Sequence, residues 1–232
     1  AEVLWVINRN ALAIALGVIW NETTSNTVDV GPIDRFVFAV QRAFQKDVTF
    51  FTVNYDNLLL ESLLRVYKSS EIFDLASYKK YRLSLSNGQE LIGQEMRKSM
   101  FDFGNLGNRV GLFHLHGSLA FWRSGLDGPD FKLHKGGLEE TNLLLQEVEK
   151  QVSFRPLVVF GRWPSKWQTI NQLPFFLAYE NLRQKLSVAT HLLIAGLSLR
   201  EPAILEIIGT AINSAYLEQR KLKIFLVDVS II

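Results

Sequence analysis

The stretch that decides the fold runs from Gly111 to Trp122 and reads GLFHLHGSLAFW. Its first residues alternate between the two faces of a predicted β-strand, and the polar turn His116-Gly117-Ser118 follows where that strand stops. In an open α/β sheet, ligands bind just outside the carboxyl ends of the strands. An imidazole titrates near neutral pH, glycine lets backbone come close to a ligand, and serine can donate or accept a hydrogen bond. The pattern indicates a polar binding site, with a structural histidine at a strand end as the alternative.

Composition excludes several classes of protein. The 232 residues, 48% of them apolar, suffice for one large domain or two small ones. With 25 basic and 23 acidic side chains the net charge is +2, so we expect no direct contact between this domain and nucleic acid. The absence of cysteine excludes disulfides, cysteine-ligated zinc and thiol catalysis, and it suits a cytoplasmic protein. The apolar run Ala11–Trp20 is far shorter than the roughly 20 residues of a spanning helix, so we expect no membrane partner.

Apolar strands, polar turns and amphipathic helices alternate along the chain. We predict an N-terminal segment of uncertain structure at 1–34 and a Rossmann-type domain at 35–232, with insertions at about 68–108 and 123–152. Besides the central strand, apolar runs predict strands at Val48–Val53, Phe154–Gly161, His191–Ala195 and Lys223–Val229. This spacing predicts an α/β fold with a Rossmann-like parallel sheet, helices on both faces and helical insertions.

Helix starts can also be assigned. Asp34 is expected to cap a helix over Arg35–Gln45. Its apolar stripe would consist of Phe36, Phe38, Ala39, Val40 and Phe44. Asp56 is expected to cap a buried helix that begins at Leu58. Capping accounts less well for Asn54, so structural and ligand-binding roles both stay open for Asn54 and Asp56. Further helices are predicted at Leu138–Val152, at Phe175–Leu186 and from Pro202 onward.

Four stretches, in chain order, resemble the motifs of sirtuins and sirtuin-like proteins. Thr52–Asp56, TVNYD, resembles their TxNxD motif, and His114–Ser118, HLHGS, resembles their HG motif. Arg155–Gly161, RPLVVFG, is similar to their RPxVVxFG strand, and Gly196–Leu199, GLSL, to their late GxSL turn. The resemblance covers roughly residues 48–229 and is greater to bacterial sirtuin-like NAD-binding domains than to protein deacylases.

Two departures from the family pattern matter. Deacylating sirtuins carry a four-cysteine zinc module between the HG and RPxVVxFG motifs, whereas this chain has no cysteine and holds the Arg123–Gln151 insertion there. The family also begins with a glycine-rich turn that holds the NAD pyrophosphate, but only Gly17 and Gly31 precede Asn54, in another context. We therefore expect that a glycine-rich turn before residue 48 is cut away or unseen, or that this member binds NAD differently.

The resemblance also implies a chemistry and its residues. Family members that act on NAD break the nicotinamide–ribose bond, so positive charge develops on the sugar as in glycoside cleavage. His116, expected near solvent, would handle a ribose hydroxyl proton, and Asn54 would position the ribose or the nucleophile. The cofactor-binding residues implied by the resemblance are Asp56, Gly117, Ser118, Gly196 and Ser198.

A metal site competes for two of the histidines. An HxH pattern on a strand puts His114 and His116 on one face, a spacing that metals can use. The other imidazoles, His134 and His191, lie in no recognisable ligand pattern. We therefore predict no metal site and no zinc, with His114 as a strand residue whose polar atoms are satisfied.

Three functions follow as expectations. The resemblance implies a domain that binds NAD as substrate and hydrolyses it, within a larger bacterial protein or complex that depletes NAD in anti-phage defence, as a homo-oligomer or with a partner protein. An NAD-dependent deacylase or ADP-ribosyltransferase is a second possibility, although the missing zinc module argues against a deacylase. A catalytically degenerate assembly domain is the third, and the missing glycine-rich turn favours it.

Overall fold

A computed structural model gives the fold of most of the chain. It describes residue 18 and residues 29–45, 48–103, 109–125, 128–133, 138–150, 154–159, 165–196 and 201–227. The chain divides into two compact units, Ala1–Leu177 and Ala178–Ile232. Of the predicted N-terminal segment 1–34, all but residue 18 and residues 29–34 lie outside the described part. No helix among the described residues is long and apolar enough to cross a membrane.

The first unit contains helices and two sheets. In chain order its main elements are α1 (Gly31–Phe44), β1 (Thr49–Thr52), α2 (Leu58–Val66), β2 (Ile72–Phe73), β3 (Ala76–Ser84), β4 (Glu90–Met96), β5 (Val110–His114), β6 (Gly117–Ser124), β7 (Asp130–Leu133), α3 (Leu138–Lys150), β8 (Phe154–Val158) and α4 (Ser165–Ile170). Short 3-10 helices lie at Ser69–Glu71 and Met100–Phe103.

The central strand belongs to a parallel sheet with the order β1–β5–β2. The register pairs Thr52 with His114, so β1 and β5 end side by side. A second, antiparallel sheet has the order β3–β4–β7–β6–β8. The protein is therefore mixed α/β, as predicted. In the first unit, parallel pairing is confined to the sheet β1–β5–β2.

The parallel sheet is covered by α1 and α2. A buried cluster joins the helices to the strands and consists of Val37, Phe50, Leu60, Leu63, Tyr67, Val110 and Leu112. On α1 the inward residues are Val37 with Ile33 and Val40, a spacing of one helical face, while Phe38 and Phe44 are exposed. The predicted stripe is therefore confirmed at Val40 and was wrong at Phe38 and Phe44.

Asp34 does not cap α1. The helix starts at Gly31, four residues earlier than expected, because Pro32 suits the first turn and the Asp29 carboxylate accepts the Gly31 N–H at 2.9 Å. Asp34 lies in the first turn, where its carboxylate accepts from the Arg65 guanidinium of α2 at 2.7 Å. This hydrogen bond lowers the pKa of Asp34.

Residues 68–103 form mainly strands, so the expectation of a helical insertion was wrong for them. β3 and β4 make a hairpin in which the Leu85 N–H donates to the Gln89 carbonyl at 2.8 Å. Towards the end of β3, exposed polar residues alternate with the buried Leu83. This alternation is typical of a strand with one face towards solvent.

In the second insertion α3 confirms the helix predicted from Leu138. Its buried Glu147 accepts two hydrogen bonds from Ser86 of the hairpin.

One predicted strand pairs differently from expectation. The strand over Phe154–Gly161 was expected in the parallel sheet, but β8 pairs antiparallel with β6. The reason is that β6 follows β5 after only two turn residues and presents its own edge to β8. Residues 160 and 161 of the predicted strand lie outside the described part.

The second unit contains most of α5 (Phe175–Val188), then β9 (His191–Ala195), α6 (Pro202–Leu217) and β10 (Lys223–Val227). The bounds of β9 and the start of α6 at Pro202 confirm the predictions. β9 and β10 pair in parallel, as expected of a βαβ unit. The expectation that β9 is a buried strand was wrong, because its side chains are alternately exposed and half-buried.

Candidate active site

Two polar turns lie side by side in the first unit, one after β1 and one after β5. The Leu115 N–H donates to the Thr52 carbonyl at 2.8 Å, which continues the parallel ladder by one step. The Leu119 N–H donates to the Tyr55 carbonyl at 2.8 Å. The turn that carries Asn54 is thus joined by backbone hydrogen bonds to the segment that carries His116.

Asn54 is held through its backbone. Its N–H donates to the Thr52 hydroxyl at 3.1 Å, and its carbonyl accepts from His114 Nδ1 at 3.4 Å. The residue itself is exposed. A fixed main chain with an exposed amide is the arrangement needed to orient a polar ligand, because the amide can donate and accept.

His114 is buried and neutral. Burial is the main cause that lowers its pKa to about 4, and the positive charge of Lys132 is the next. Its ring also packs edge-on against Phe121, with centroids 5.5 Å apart. These contacts agree with the prediction of a satisfied strand residue.

His116 is only 4% exposed, so the expectation that it lies near solvent was wrong. The chain that follows β8 is bonded to both turns. The Val159 N–H donates to the His116 carbonyl at 2.7 Å, while the Val159 carbonyl accepts from the Tyr55 hydroxyl at 2.7 Å. Val159 therefore bridges the two turns.

Gly117 is required by the fold. Its φ is +92°, and a Cβ placed there would lie 2.1 Å from the Leu157 carbonyl oxygen. The sequence suggested that this glycine lets backbone approach a ligand. In the structure the close approach is made by the protein's own β8, at the register position where Gly117 pairs with Val158.

Ser118 is also engaged inside the protein. Its buried hydroxyl donates to Asn57 Oδ1 at 2.7 Å and accepts from the Ala120 N–H at 3.1 Å. Asn57 was missed by the sequence reasoning, although a buried asparagine at a helix N-terminus is a recognisable signal. Asp56 accepts from the Leu58 N–H at 3.0 Å, so it does stabilise the start of α2, beside the N-cap position held by Asn57.

The structure thus brings five predicted site residues together at the ends of β1 and β5: Asn54, Asp56, His116, Gly117 and Ser118. Gly196 belongs to the second unit, where it follows β9 with φ +61° and donates its N–H to the Val227 carbonyl at 3.1 Å. Ser198 lies outside the described residues.

Within the part of the chain that the structure describes, no three His, Asp or Glu side chains are grouped so that they could hold a metal ion. His114 points its Nδ1 at a backbone carbonyl, which accounts for one of the two ring nitrogens of this histidine.

No protein-family model matches this chain, and no curated protein matches it significantly. The resemblance to sirtuin-like domains therefore rests on the four sequence motifs.

Proposed function

We propose that this chain is a sirtuin-like domain that binds NAD and hydrolyses its nicotinamide–ribose bond. The observation that carries the proposal is the side-by-side position of the Asn54 and His116 turns at the carboxyl ends of two parallel strands. This is where α/β sheets bind ligands. The domain would serve a bacterial defence protein in the cytoplasm, as an oligomer or with a partner protein.

Each residue has a role in this proposal. Asn54 is exposed beside the turn and orients the ribose or the attacking water through its amide. His116 takes a ribose hydroxyl proton as charge develops on the sugar.

A second function is favoured by a specific observation. Gly117 is required by β8, and the Ser118 hydroxyl is bound to Asn57 and Ala120, so the fold alone explains both residues. These are the contacts expected of an assembly domain that keeps the sirtuin-like turns as scaffold. Such a domain would bind a partner protein and leave NAD intact.

The two functions are separated by incubating the intact protein with NAD and following free nicotinamide and ADP-ribose by chromatography. A hydrolase releases both products in equal amounts, and the release falls when Asn54 or His116 is replaced. No product from the folded, oligomeric protein would favour the assembly domain. Transfer of ADP-ribose to protein, with nicotinamide in excess over free ADP-ribose, would indicate a transferase.

A further inference from the structure

Tyr55 follows Asn54 in the turn after β1, and both its main chain and its side chain are bonded to other parts of the site. Its carbonyl accepts from the Leu119 N–H of β6 at 2.8 Å. Its hydroxyl donates to the Val159 carbonyl at 2.7 Å, and the Val159 N–H donates to the His116 carbonyl at 2.7 Å. Because the chain runs on from His116 to Leu119, these three hydrogen bonds form a closed network that includes both turns.

The aromatic ring of Tyr55 is held by packing. It is partly buried against the cluster of Leu119 and Val158, to which Leu145 of α3 also belongs. A tyrosine with a packed aromatic ring usually finds a hydrogen-bond partner for its hydroxyl. Here the partner is the carbonyl of Val159, the residue directly after Val158. The packing of β6 and β8 therefore decides where the Tyr55 hydroxyl lies.

The main chain of His116 is fixed on both sides of its side chain. On one side, the Leu115 N–H donates to the Thr52 carbonyl at 2.8 Å. On the other side, the His116 carbonyl accepts from Val159, which is itself held by the Tyr55 hydroxyl. Fixed peptide groups on both sides set the direction in which the imidazole leaves the backbone. The Tyr55 hydroxyl thus acts on His116 through one intervening residue.

We propose that Tyr55 is a positioning residue for His116: its hydroxyl holds Val159, and Val159 holds the His116 main chain for proton transfer. A group that transfers a proton must lie within hydrogen-bond reach of the reacting atom, and a misplacement of about 1 Å can lower the rate about 10²-fold. The inference rests on the proposed NAD hydrolysis and adds to it a residue that does not touch the substrate.

The first test is the steady-state release of nicotinamide by the Tyr55→Phe variant of the intact protein. This change keeps the packed aromatic ring and removes only the hydroxyl. We expect kcat to fall about tenfold or more while KM for NAD changes by less than about twofold, because the loss affects orientation and leaves substrate binding intact. Wild-type kcat in a folded Tyr55→Phe variant would overturn the inference.

Tyr67→Phe is the matched control. The Tyr67 hydroxyl also donates to a backbone carbonyl, that of Gln45 at 2.9 Å, and its aromatic ring belongs to the cluster beneath α1 and α2. Both variants lose one hydrogen bond of the same kind, so their losses of stability should be similar. Tyr67→Phe should keep the wild-type kcat. An equal fall of kcat in both variants would contradict a specific role for Tyr55.

Amide hydrogen exchange, followed by NMR, tests the network without any turnover. In Tyr55→Phe the Val159 amide should exchange at least about threefold faster than in the wild type, because the carbonyl of the same residue has lost its donor. The reference is the Gly111 amide, which donates to the Val48 carbonyl at 3.1 Å and should keep its wild-type rate. Equal acceleration at both amides would show a general loss of stability and contradict a local hold on Val159.

The two measurements separate this inference from the proposed function. If the wild type releases no nicotinamide, NAD hydrolysis fails as the function, and Tyr55 has no reaction to serve. If the wild type hydrolyses NAD and Tyr55→Phe keeps its kcat, the inference alone fails. If kcat falls while exchange at Val159 stays unchanged, Tyr55 does not act through Val159, and the route to His116 is wrong.

Discussion

His114 Nδ1 donates a hydrogen bond to the backbone carbonyl of Asn54, with 3.4 Å between nitrogen and oxygen. It links the last residue of β5 to the turn after β1. Because the ring is buried and its pKa is lowered to about 4, it stays neutral at physiological pH. The position of Asn54 therefore depends on a histidine that was expected to have no part in the site.

The first prediction is a pH dependence of stability. The folded pKa of His114, about 4, lies below its ordinary 6.5, so the unfolded chain binds a proton that the folded chain does not. This contribution to stability is fully present above about pH 6.5 and is lost as the pH falls towards 4, by up to about 3 kcal/mol. Urea unfolding of the wild type and of His114→Gln between pH 4 and 8 measures it. The expectation fails if the difference between the two proteins is the same at every pH.

The second prediction concerns two glycines with similar backbone angles. Gly117→Ala should destabilise the protein by more than about 3 kcal/mol, since the new Cβ would collide with the Leu157 carbonyl at a positive φ. Gly88→Ala is the matched control, because φ is +81° there and nothing lies within 4 Å of the added Cβ. It should cost only about 1–2 kcal/mol. Similar chemical-denaturation midpoints for both variants would refute the clash.

The third prediction tests the buried bond between Ser118 and Asn57. Ser118→Ala removes a donor to Asn57 and the acceptor of the Ala120 N–H, so we expect a loss of about 1–3 kcal/mol. Ser84→Ala, at an exposed β3 position, should change stability by less than about 0.5 kcal/mol. A double-mutant cycle with Asn57→Ala should give a coupling above about 0.5 kcal/mol. Additive effects would show that the two side chains do not depend on each other.

The fourth prediction separates chemistry from stability at Asn54. Because the residue is exposed, Asn54→Ala should change the free energy of unfolding by less than about 0.5 kcal/mol. If the amide orients ribose or water, nicotinamide release should nevertheless fall about tenfold or more. The assay is chromatography of the NAD reaction beside a thermal melt. Unchanged turnover would remove Asn54 from the site.

The fifth prediction concerns His116, which needs a conservative change because it is buried. His116→Gln keeps much of the volume and a polar end, so the protein should stay folded while NAD cleavage falls about 10²–10⁴-fold. His114→Gln is the control in the same strand–turn segment. It should lower stability above pH 6.5 and, because His114 holds the Asn54 turn, lower cleavage by less than His116→Gln does. Wild-type turnover in a folded His116→Gln variant would favour the assembly domain.

The sequence by itself determined the features that depend on neighbouring residues. The bounds of β9, the start of α6 at Pro202 and the start of α2 at Leu58 were all predicted. Each depends on local physics: an apolar run, a proline with a fixed φ, or a carboxylate that accepts a nearby N–H. The neighbouring ends of β1 and β5 also followed, because parallel strands in βαβ order finish at the same edge.

Only the tertiary structure decided how distant segments meet. β8 pairs antiparallel with β6, and from that pairing follow the requirement for glycine at 117 and the backbone hydrogen bond between Val159 and His116. β3 and β4 pair with each other and β4 pairs with β7, and no local pattern specifies these pairings. Strand pairing and burial depend on residues far apart in the chain, whereas helix starts and apolar runs are set by residues a few positions apart.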